Sequence, residues 1–342
     1  MNKRTFDLFA CHQCSEKLLF DEFEKYEDGT DRTKDGLLKC NQCNLWYPIY
    51  DGIANFLPSH LADKSSREAF REKWQINFDE TSELDHCDSS KDKKIQIDFF
   101  NADTHIYDEN MENTPFWKAN DWNCLKDWLP MLGKNDLLLD VGCGSGRASI
   151  PFAKNGLKVI GLDISEQMIL RAKKKSEKLG LTNSVDYIVG DSENLPFKKN
   201  SFDAVIAFGV LHHVPSPEKM LDQMSKVLKV GGLYFGHENN KTVLRPLFDL
   251  FMCISRLWVE EAGNNPLISK SELKNWANFA NLIVNVKSSV FLPPHLYNLI
   301  GDKYSKKLIT ISDNLLNKLP FVKNMGGILI INGKKSAINS ET

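Results

Sequence analysis

Residues 137–148 read Leu137-Leu-Leu-Asp140-Val-Gly142-Cys-Gly144-Ser-Gly146-Arg147-Ala148. Four apolar residues and one aspartate make a short run, and a glycine-rich turn follows at once. A buried parallel strand reads as such a run, and a helix, predicted here over 147–154, must follow to cross back over the sheet. Gly142, Gly144 and Gly146 have no Cβ, so they admit positive φ and let a ligand lie against the backbone. Free N–H groups at the start of the following helix favour a carboxylate or phosphate.

The loop discriminates between two ligand classes. A dinucleotide fingerprint is G-x-G-x-x-G, whereas the spacing here is G-x-G-x-G and Arg147 stands where the third glycine belongs. Asp140, just before the loop, suits a cationic amino group and repels a pyrophosphate. The loop therefore points to a zwitterionic, phosphate-free ligand such as S-adenosylmethionine (SAM).

Downstream, the chain keeps a strand–helix rhythm. Strands are predicted at 137–141, 158–163, 185–189, 202–208 and 232–236, and helices at 166–179, capped by Ser165 and ended by Gly180, and at 217–228 with proline in the first turn. Such alternation means a Rossmann-like, doubly wound, mostly parallel α/β sheet, with ligands at the carboxyl ends of the strands. The acids fall at those ends. Asp163 comes 21 residues after Gly142, the place for a carboxylate that accepts from ribose hydroxyls. Asp191 closes the third strand and is placed to accept from an adenine amino group, with the Ser192 N–H facing the ring.

Upstream, residues 1–58 hold Cys11-x-x-Cys14 and Cys40-x-x-Cys43. Two such knuckles place four thiolates in a tetrahedron around zinc and fill its coordination sphere, which makes the site structural. A segment this short has little apolar surface to bury, so metal binding supplies much of its folding energy. His12 reads as exposed, not as a ligand. The stretch after Cys43, Asn-Leu-Trp-Tyr-Pro-Ile-Tyr-Asp-Gly-Ile53, resembles the zinc-ribbon family of methyltransferase activator proteins, which pack on a methyltransferase. Here the ribbon is fused to one.

That fusion rests on a second resemblance. Residues 137–148, Asp163, the run Gly190-Asp-Ser-Glu-Asn-Leu-Pro-Phe197, the run Ser201-Phe-Asp-Ala-Val-Ile-Ala-Phe-Gly-Val-Leu-His-His-Val214 and Val227-Leu-Lys-Val-Gly-Gly-Leu233 look together like the class I SAM-dependent methyltransferases, in their small-molecule and quinone-type branch. The resemblance implies a seven-stranded sheet, with Asp140, Gly142, Gly144 and Gly146 around the methionine end of SAM, Asp163 at the ribose, Asp191 at the adenine and Phe208 near the sulfur. Methyl transfer from a sulfonium is catalysed mainly by orientation, and a base is needed only when the acceptor must lose a proton. Candidates lie after the fourth strand (His212, His213) and the fifth (His237, Glu238). His213 and His237 are taken as the base candidates.

The remaining segments frame that domain, which is assigned to 132–342. Residues 59–131 form a helical cap region. Phe70, Trp74 and Phe78 share one helix face, residues 82–94 read as a charged loop, and a dense aromatic run follows (Phe99, Phe100, Tyr107, Phe116, Trp117, Trp122, Trp128), most of it expected to serve packing. Two insertions, 241–268 and 291–325, depart from the minimal pattern. The apolar stretch 242–259 suits a lid, a membrane-surface helix or a buried helix. A capping-box helix is predicted at 269–280, a sixth strand at 282–290 and a last antiparallel strand at 326–332.

The 342 residues are 42% hydrophobic and 26% charged, with a formal net charge of −2. This balance disfavours a broad nucleic-acid footprint. No stretch reaches the ~18 apolar residues of a spanning helix, and the amino-terminal residues lack a signal pattern, so a cytoplasmic protein is expected. The acceptor is expected to be a small molecule or lipid. The rival readings are an RNA methyltransferase whose ribbon holds the substrate, a non-enzymatic SAM-binding scaffold, and a nicotinamide dehydrogenase, which Arg147 and Asp191 disfavour.

Overall fold

The computed structural model describes residues 1–76, 90–102, 113–254 and 267–337. Phe78, Cys87, Tyr107 and the end of the apolar stretch at 255–259 lie outside the described residues.

Among the described residues eleven strands make one continuous sheet. They are β1 (Leu19–Lys25), β2 (Thr33–Lys39), β3 (Trp46–Tyr50), β4 (Ile53–Asn55), β5 (Leu137–Val141), β6 (Lys158–Asp163), β7 (Val185–Val189), β8 (Phe202–Phe208), β9 (Leu228–Asn239), β10 (Leu282–Ser289) and β11 (Ile328–Lys335). Their spatial order is β1-β2-β3-β4-β7-β6-β5-β8-β9-β11-β10. The last seven are the expected methyltransferase sheet, parallel except for β11, which pairs antiparallel with β9 and β10. Strands β5 to β7 are buried almost throughout, which is why each reads as an unbroken apolar run. The chain winds outward from β5 to β7, then returns to β8 on the other side of β5. The crevice at that reversal is where such sheets bind ligands.

The first four strands do not form a separate body. Strand β4 pairs parallel with β7, Ala54 opposite Ile188 and Asn55 opposite Val189, and Phe56 N–H donates to the Val189 carbonyl at 2.8 Å. The chain start is tied to the same strand. Buried Asp186 accepts from Asn2 N–H (2.9 Å), the Asn2 side-chain amide (3.0 Å) and the Thr5 hydroxyl (2.5 Å). Phe9 bridges to Phe197, and Ala10 N–H donates to the Pro196 carbonyl. One apolar core runs through Phe9, Tyr47, Phe56, Ile188 and Phe197 without a break.

Helix starts follow local rules. The Ser165 hydroxyl caps Glu166–Lys178 by accepting from Met168 N–H at 3.2 Å, and Ser269 with Glu272 forms a complete capping box on Lys270–Phe279. Several expectations need correction. Helix Ser149–Lys154 starts two residues later than expected. Residues 90–94 are not loop: helix Ser90–Ala102 begins there. Its exposed charges hid the period, while Lys93, Gln96, Ile97 and Phe100 turn inward at i, i+3, i+4 and i+7. Trp74 caps the end of helix Lys64–Lys73, and only Phe70 of that face is buried in the helix. Strand β9 is longer than expected at both ends: Leu228 already pairs with Phe202, and His237 and Glu238 lie inside it because they pair with Ile330 and Leu329 of β11. The second insertion is a helix, Pro294–Leu316, broken at Gly301, where φ is 76°. It packs along helix Pro115–Trp128, with Asn298 accepting from Phe116 N–H at 2.8 Å.

Candidate active site

A cavity of about 410 Å³ opens at the carboxyl ends of β5, β6, β7, β8 and β9. The glycine loop forms one wall. Gly142 has φ of 71°, and a Cβ there would come within 2.3 Å of Val210 Cγ2. Gly146 has φ of 90°. Both positions therefore require glycine. The loop is stapled to β6 through the Leu162 carbonyl, which accepts from Gly142 and Cys143 N–H at 2.8 and 2.9 Å. The Asp163 carboxylate accepts from Gly144 N–H at 2.8 Å and Ser165 N–H at 2.9 Å. It thus braces the loop against the next helix, and burial raises its pKa. Gly142, Gly144 and Asp163 face the cavity.

Asp140 does not. It lies beneath the loop, fully buried, and its Oδ2 accepts from the Ser149 hydroxyl at 2.6 Å. Its Oδ1 has no hydrogen-bond partner among the described residues. Burial, opposed by the Ser149 bond, pushes its carboxyl up to about 7. The sequence placed Asp140 directly against the ligand; the structure puts the loop backbone in between.

At the end of β7, Asp191 and Ser192 face the cavity. Asp191 accepts from Glu193 N–H (3.0 Å), the Asn194 amide (2.6 Å) and the Lys93 ammonium (2.7 Å). Lys93 also contacts Glu193, whose other oxygen accepts from Ser216 N–H at 2.6 Å. Burial opposes the Lys93 charge, but the two acids hold its pKa above the usual lysine range. Helix Ser90–Ala102 therefore reaches over the cleft and places a cation on the carboxylate expected to read adenine. Sequence reading missed Lys93, which lies in a run of solvated charges.

The opposite end of the cavity is aromatic. The Arg147 guanidinium lies over the Trp117 ring at 4.6 Å and the Phe208 ring at 4.7 Å, and it donates to Asp121 at 2.6 Å. His237 stacks on Phe208 at 4.6 Å. Phe208 is in the cavity wall, with its ring engaged by both neighbours. His237 Nε2 is 2.8 Å from the Asn120 amide nitrogen, while Nδ1 has no partner among the described residues. Burial, with Arg147 nearby, pushes its pKa well below the usual histidine range, so the ring is neutral.

His213 lies in the cavity wall with the Phe100 ring edge-on at 5.3 Å. Glu238 is no base candidate. Its carboxylate accepts from Val210 and Leu211 N–H at 3.0 and 2.8 Å and pairs with His212 at 2.7 Å, which fixes the loop after β8. Phe248 and Pro294 bring the two insertions into the cavity wall.

Away from the cavity, the sulfurs of Cys11, Cys14, Cys40 and Cys43 lie within 4.8 Å of one another. Cys14 and Cys40 are 3.5 Å apart, close to the roughly 3.8 Å edge of a tetrahedron with zinc–sulfur bonds of about 2.3 Å. Cys43 N–H points at the Cys40 sulfur. His12 is half-buried, 3.0 Å from the Tyr47 hydroxyl, and is not one of the cluster.

Comparison with known proteins agrees with this geometry. A methyltransferase domain family matches residues 139–236, and a Trm112p-like protein family matches residues 2–52. Over 187 residues the chain is 40% identical to the ubiquinone/menaquinone biosynthesis C-methyltransferase of Rickettsia prowazekii, covering 51% of this chain and 74% of that protein. It is 38% identical over 106 residues to the sterol 24-C-methyltransferase of Pneumocystis carinii, covering 31% of this chain but only 28% of that protein. A solved complex of the Haloferax volcanii Trm112 methyltransferase activator with a methyltransferase contains a chain of the same fold, with a TM-score of 0.52 and 21% identity, covering 72% of this chain and all of that one. The chain belongs to the SAM-dependent methyltransferase family. It carries an activator-like zinc-ribbon segment on the same polypeptide.

The Lys93 contact carries a stability prediction. In Lys93→Met two buried carboxylates lose their counter-ion, a change that costs about 3–5 kcal/mol when a buried pair is broken. Urea unfolding should show that loss, with the slope unchanged. A variant as stable as the parent would mean that the pair is solvated.

Proposed function

We propose that this chain transfers the methyl group of SAM to an apolar small-molecule or lipid-type acceptor. The observation that carries the reading is the cavity itself. One end has a glycine loop, a brace at Asp163 and an acid at Asp191, and the other has an aromatic wall of Phe116, Trp117 and Phe208 beside Arg147 and His237. The buried, unpartnered Asp140 oxygen fits a cationic ligand just across the loop, which a pyrophosphate would not match.

SAM, when bound, supplies a methyl already activated on a sulfonium for in-line displacement. The chain's part is to hold and exclude. Gly142 and Gly144, in the cavity wall, let the backbone approach the methionine end, and Gly146, outside that wall, packs against Tyr187 and Ile150. Asp163 and Asp191 keep lone pairs for ribose hydroxyls and the adenine amino group, and Ser192 N–H faces the ring. Trp117, Phe208 and Phe248 exclude water and orient the acceptor. His237, neutral and with Nε2 accepting from the Asn120 amide, carries its proton on Nδ1 and is suited to donate a hydrogen bond to an acceptor oxygen; it takes a proton at Nε2 only when the Asn120 amide gives way. His213 is the second candidate for taking a proton. We assign residues 1–58 to the ribbon, 59–131 to the cap and 132–342 to the transferase proper.

The four cysteines are proposed to hold a structural zinc. The ribbon's β4 is paired to β7, so losing the metal should loosen the strand that carries Asp191. Cys40→Ser or treatment with a strong chelator should release one metal ion per chain and lower the melting temperature. A chain that melts unchanged after its metal is gone would refute a structural role.

Asp140 makes the cofactor assignment testable by pH. Its carboxyl titrates near 7 in the folded protein and near 4 unfolded. Folding therefore retains its proton, and the resulting stability is lost as pH rises from about 4 to 7. A sulfonium or ammonium nearby favours the ionised form, so SAM affinity should weaken as pH falls, by about fivefold from pH 7 to pH 6. Calorimetry with SAM, and with NAD as the control, reads this directly. SAM binding with no pH dependence would remove Asp140 from the site, and a preference for NAD would overturn the cofactor.

The acceptor class is tested by incubating the protein with methyl-labelled SAM and fractionated cell extract. Label is expected in the lipid or small-metabolite fraction. Label in RNA would select the rival nucleic-acid substrate, and no label in any fraction would favour a binding scaffold.

A further inference from the structure

The second insertion buries one side and leaves the other without cover. In helix Pro294–Leu316 the inward positions include Tyr297, Ser305 and Ile309. Beyond the break at Gly301 the outward positions Tyr304, Lys307, Ile311 and Leu315 recur every three or four residues, and Ile300, before the break, lies in one shallow groove with Tyr304, Lys307 and Ile311, so the stripe is continuous. Leu299 and Phe321 stand out further still, at 81% and 88% exposure. Scattered apolar side chains on a surface need no explanation, but a continuous stripe with projecting ends does.

Two further observations say what covers it. The first is charge. Residues 291–325 carry five lysines and two aspartates, +3 in a chain whose total is −2, so the remainder is −5. One of those aspartates, Asp313, is buried. Near the end of the helix an open cleft of about 770 Å³ gathers Lys270, Lys274, Lys287, Lys318 and Lys323, with Asp313 also in its lining. Burial, reinforced by Lys274 and Lys323, lowers the Lys270 pKa, so these ammonium groups crowd one another. The second is continuity with the cavity. Pro294 begins this helix in the cavity wall. In the neighbouring helix Arg245–Ile254, Phe248 faces the cavity while Leu247 and Leu250 are exposed.

We propose that this face docks on an anionic phospholipid bilayer. The leucines, isoleucines and Phe321 enter the interface, and the lysine cleft receives lipid phosphates. The exposed aliphatic side chains favour a bilayer over RNA, which is gripped by aromatic stacking and hydrogen bonds to bases. The proposal deepens the reading of an apolar acceptor, since it gives that acceptor a route from the bilayer into the cavity, but docking itself does not depend on that reading.

The test is co-sedimentation of the full-length protein with vesicles of phosphatidylcholine alone, or with one third phosphatidylglycerol. SAM calorimetry on the same samples reads the catalytic cavity separately. Binding is expected to the anionic vesicles and to be about tenfold or more weaker to the neutral ones. Leu299→Glu with Phe321→Glu should abolish it, and Lys318→Glu with Lys323→Glu should reduce it about tenfold. Both pairs are exposed, so melting temperature and SAM affinity should stay at the parent values. Absence of binding to anionic vesicles overturns the proposal. So does binding that ignores the Leu299 and Phe321 changes, or salt-sensitive retention of RNA in place of vesicles. Lost docking with intact SAM binding would leave the transferase reading standing, and the reverse would leave the docking face standing.

Discussion

The structure depends on covering one strand edge. Strand β7 is buried at every residue, yet in a seven-stranded sheet ending there it would present a row of unpaired backbone groups. Such an edge is costly when buried and adhesive when exposed. Strand β4 supplies the partner, and Asp186 ties the chain start to the same strand through hydrogen bonds to a buried carboxylate, of the kind worth about 1.5–3 kcal/mol each. The ribbon that provides β4 buries Phe9, Tyr47 and Phe56 in the core it shares with the sheet, so its order rests on that core as well as on the cysteine cluster. Asp191 lies two residues beyond β7. The route from cysteine sulfur to cavity acid is short: knuckle, β3, β4, β7, Asp191.

The cavity region concentrates negative charge, and each carboxylate is handled differently. Asp163 and Glu238 accept from backbone N–H groups and so position the loops that donate them. Asp191 and Glu193 share the Lys93 cation. Asp140 has one hydroxyl for company, too little to offset complete burial, so it holds a proton near neutrality. The same division orders the polar groups of the cavity. Braced acids form its frame, and His237 Nδ1, without a partner among the described residues, is left with capacity for a ligand, while the unpartnered Asp140 Oδ1 lies beneath the loop.

Much of this was legible in the sequence where the determinants are local. The glycine loop, the acids at strand tips, the Ser165 cap, the Ser269 capping box and the cysteine spacing each act over a few residues, and the structure contains each feature. The readings that failed involve distant partners. The β4–β7 pairing joins a three-residue strand to one about 130 residues away, and no periodicity announces it. Lys93 is indistinguishable from Lys91 and Lys94 until a helix turns it inward. Arg147 was noted only as a glycine that is missing, although a long cation beside a glycine loop and an aromatic helix has few places to lie except over the rings. Asp140 was placed by its position before the loop, and the pleat of β5 turned it beneath.

An apolar acceptor imposes a constraint that the catalytic frame does not address. Each methylene left in water costs about 0.8 kcal/mol, so a lipid-like molecule resides in a bilayer, and an apolar cavity offers it little that the bilayer does not. Extraction must therefore be rewarded by polar contacts and shortened by proximity. Polar contacts are available at the aromatic end, where Arg147 and His237, the latter held by Asn120, lie among Trp117 and Phe208. Proximity is a matter for the rim, and both rim elements are insertions absent from the minimal fold. Their inner faces, at Phe248 and Pro294, shape the cavity, and their outer faces carry the exposed leucines. A mutation on the inner face should alter which acceptor fits, whereas one on the outer face should alter only how often it arrives. Fold alone names neither, because both properties reside in the segments that the shared strand–helix frame leaves free to vary.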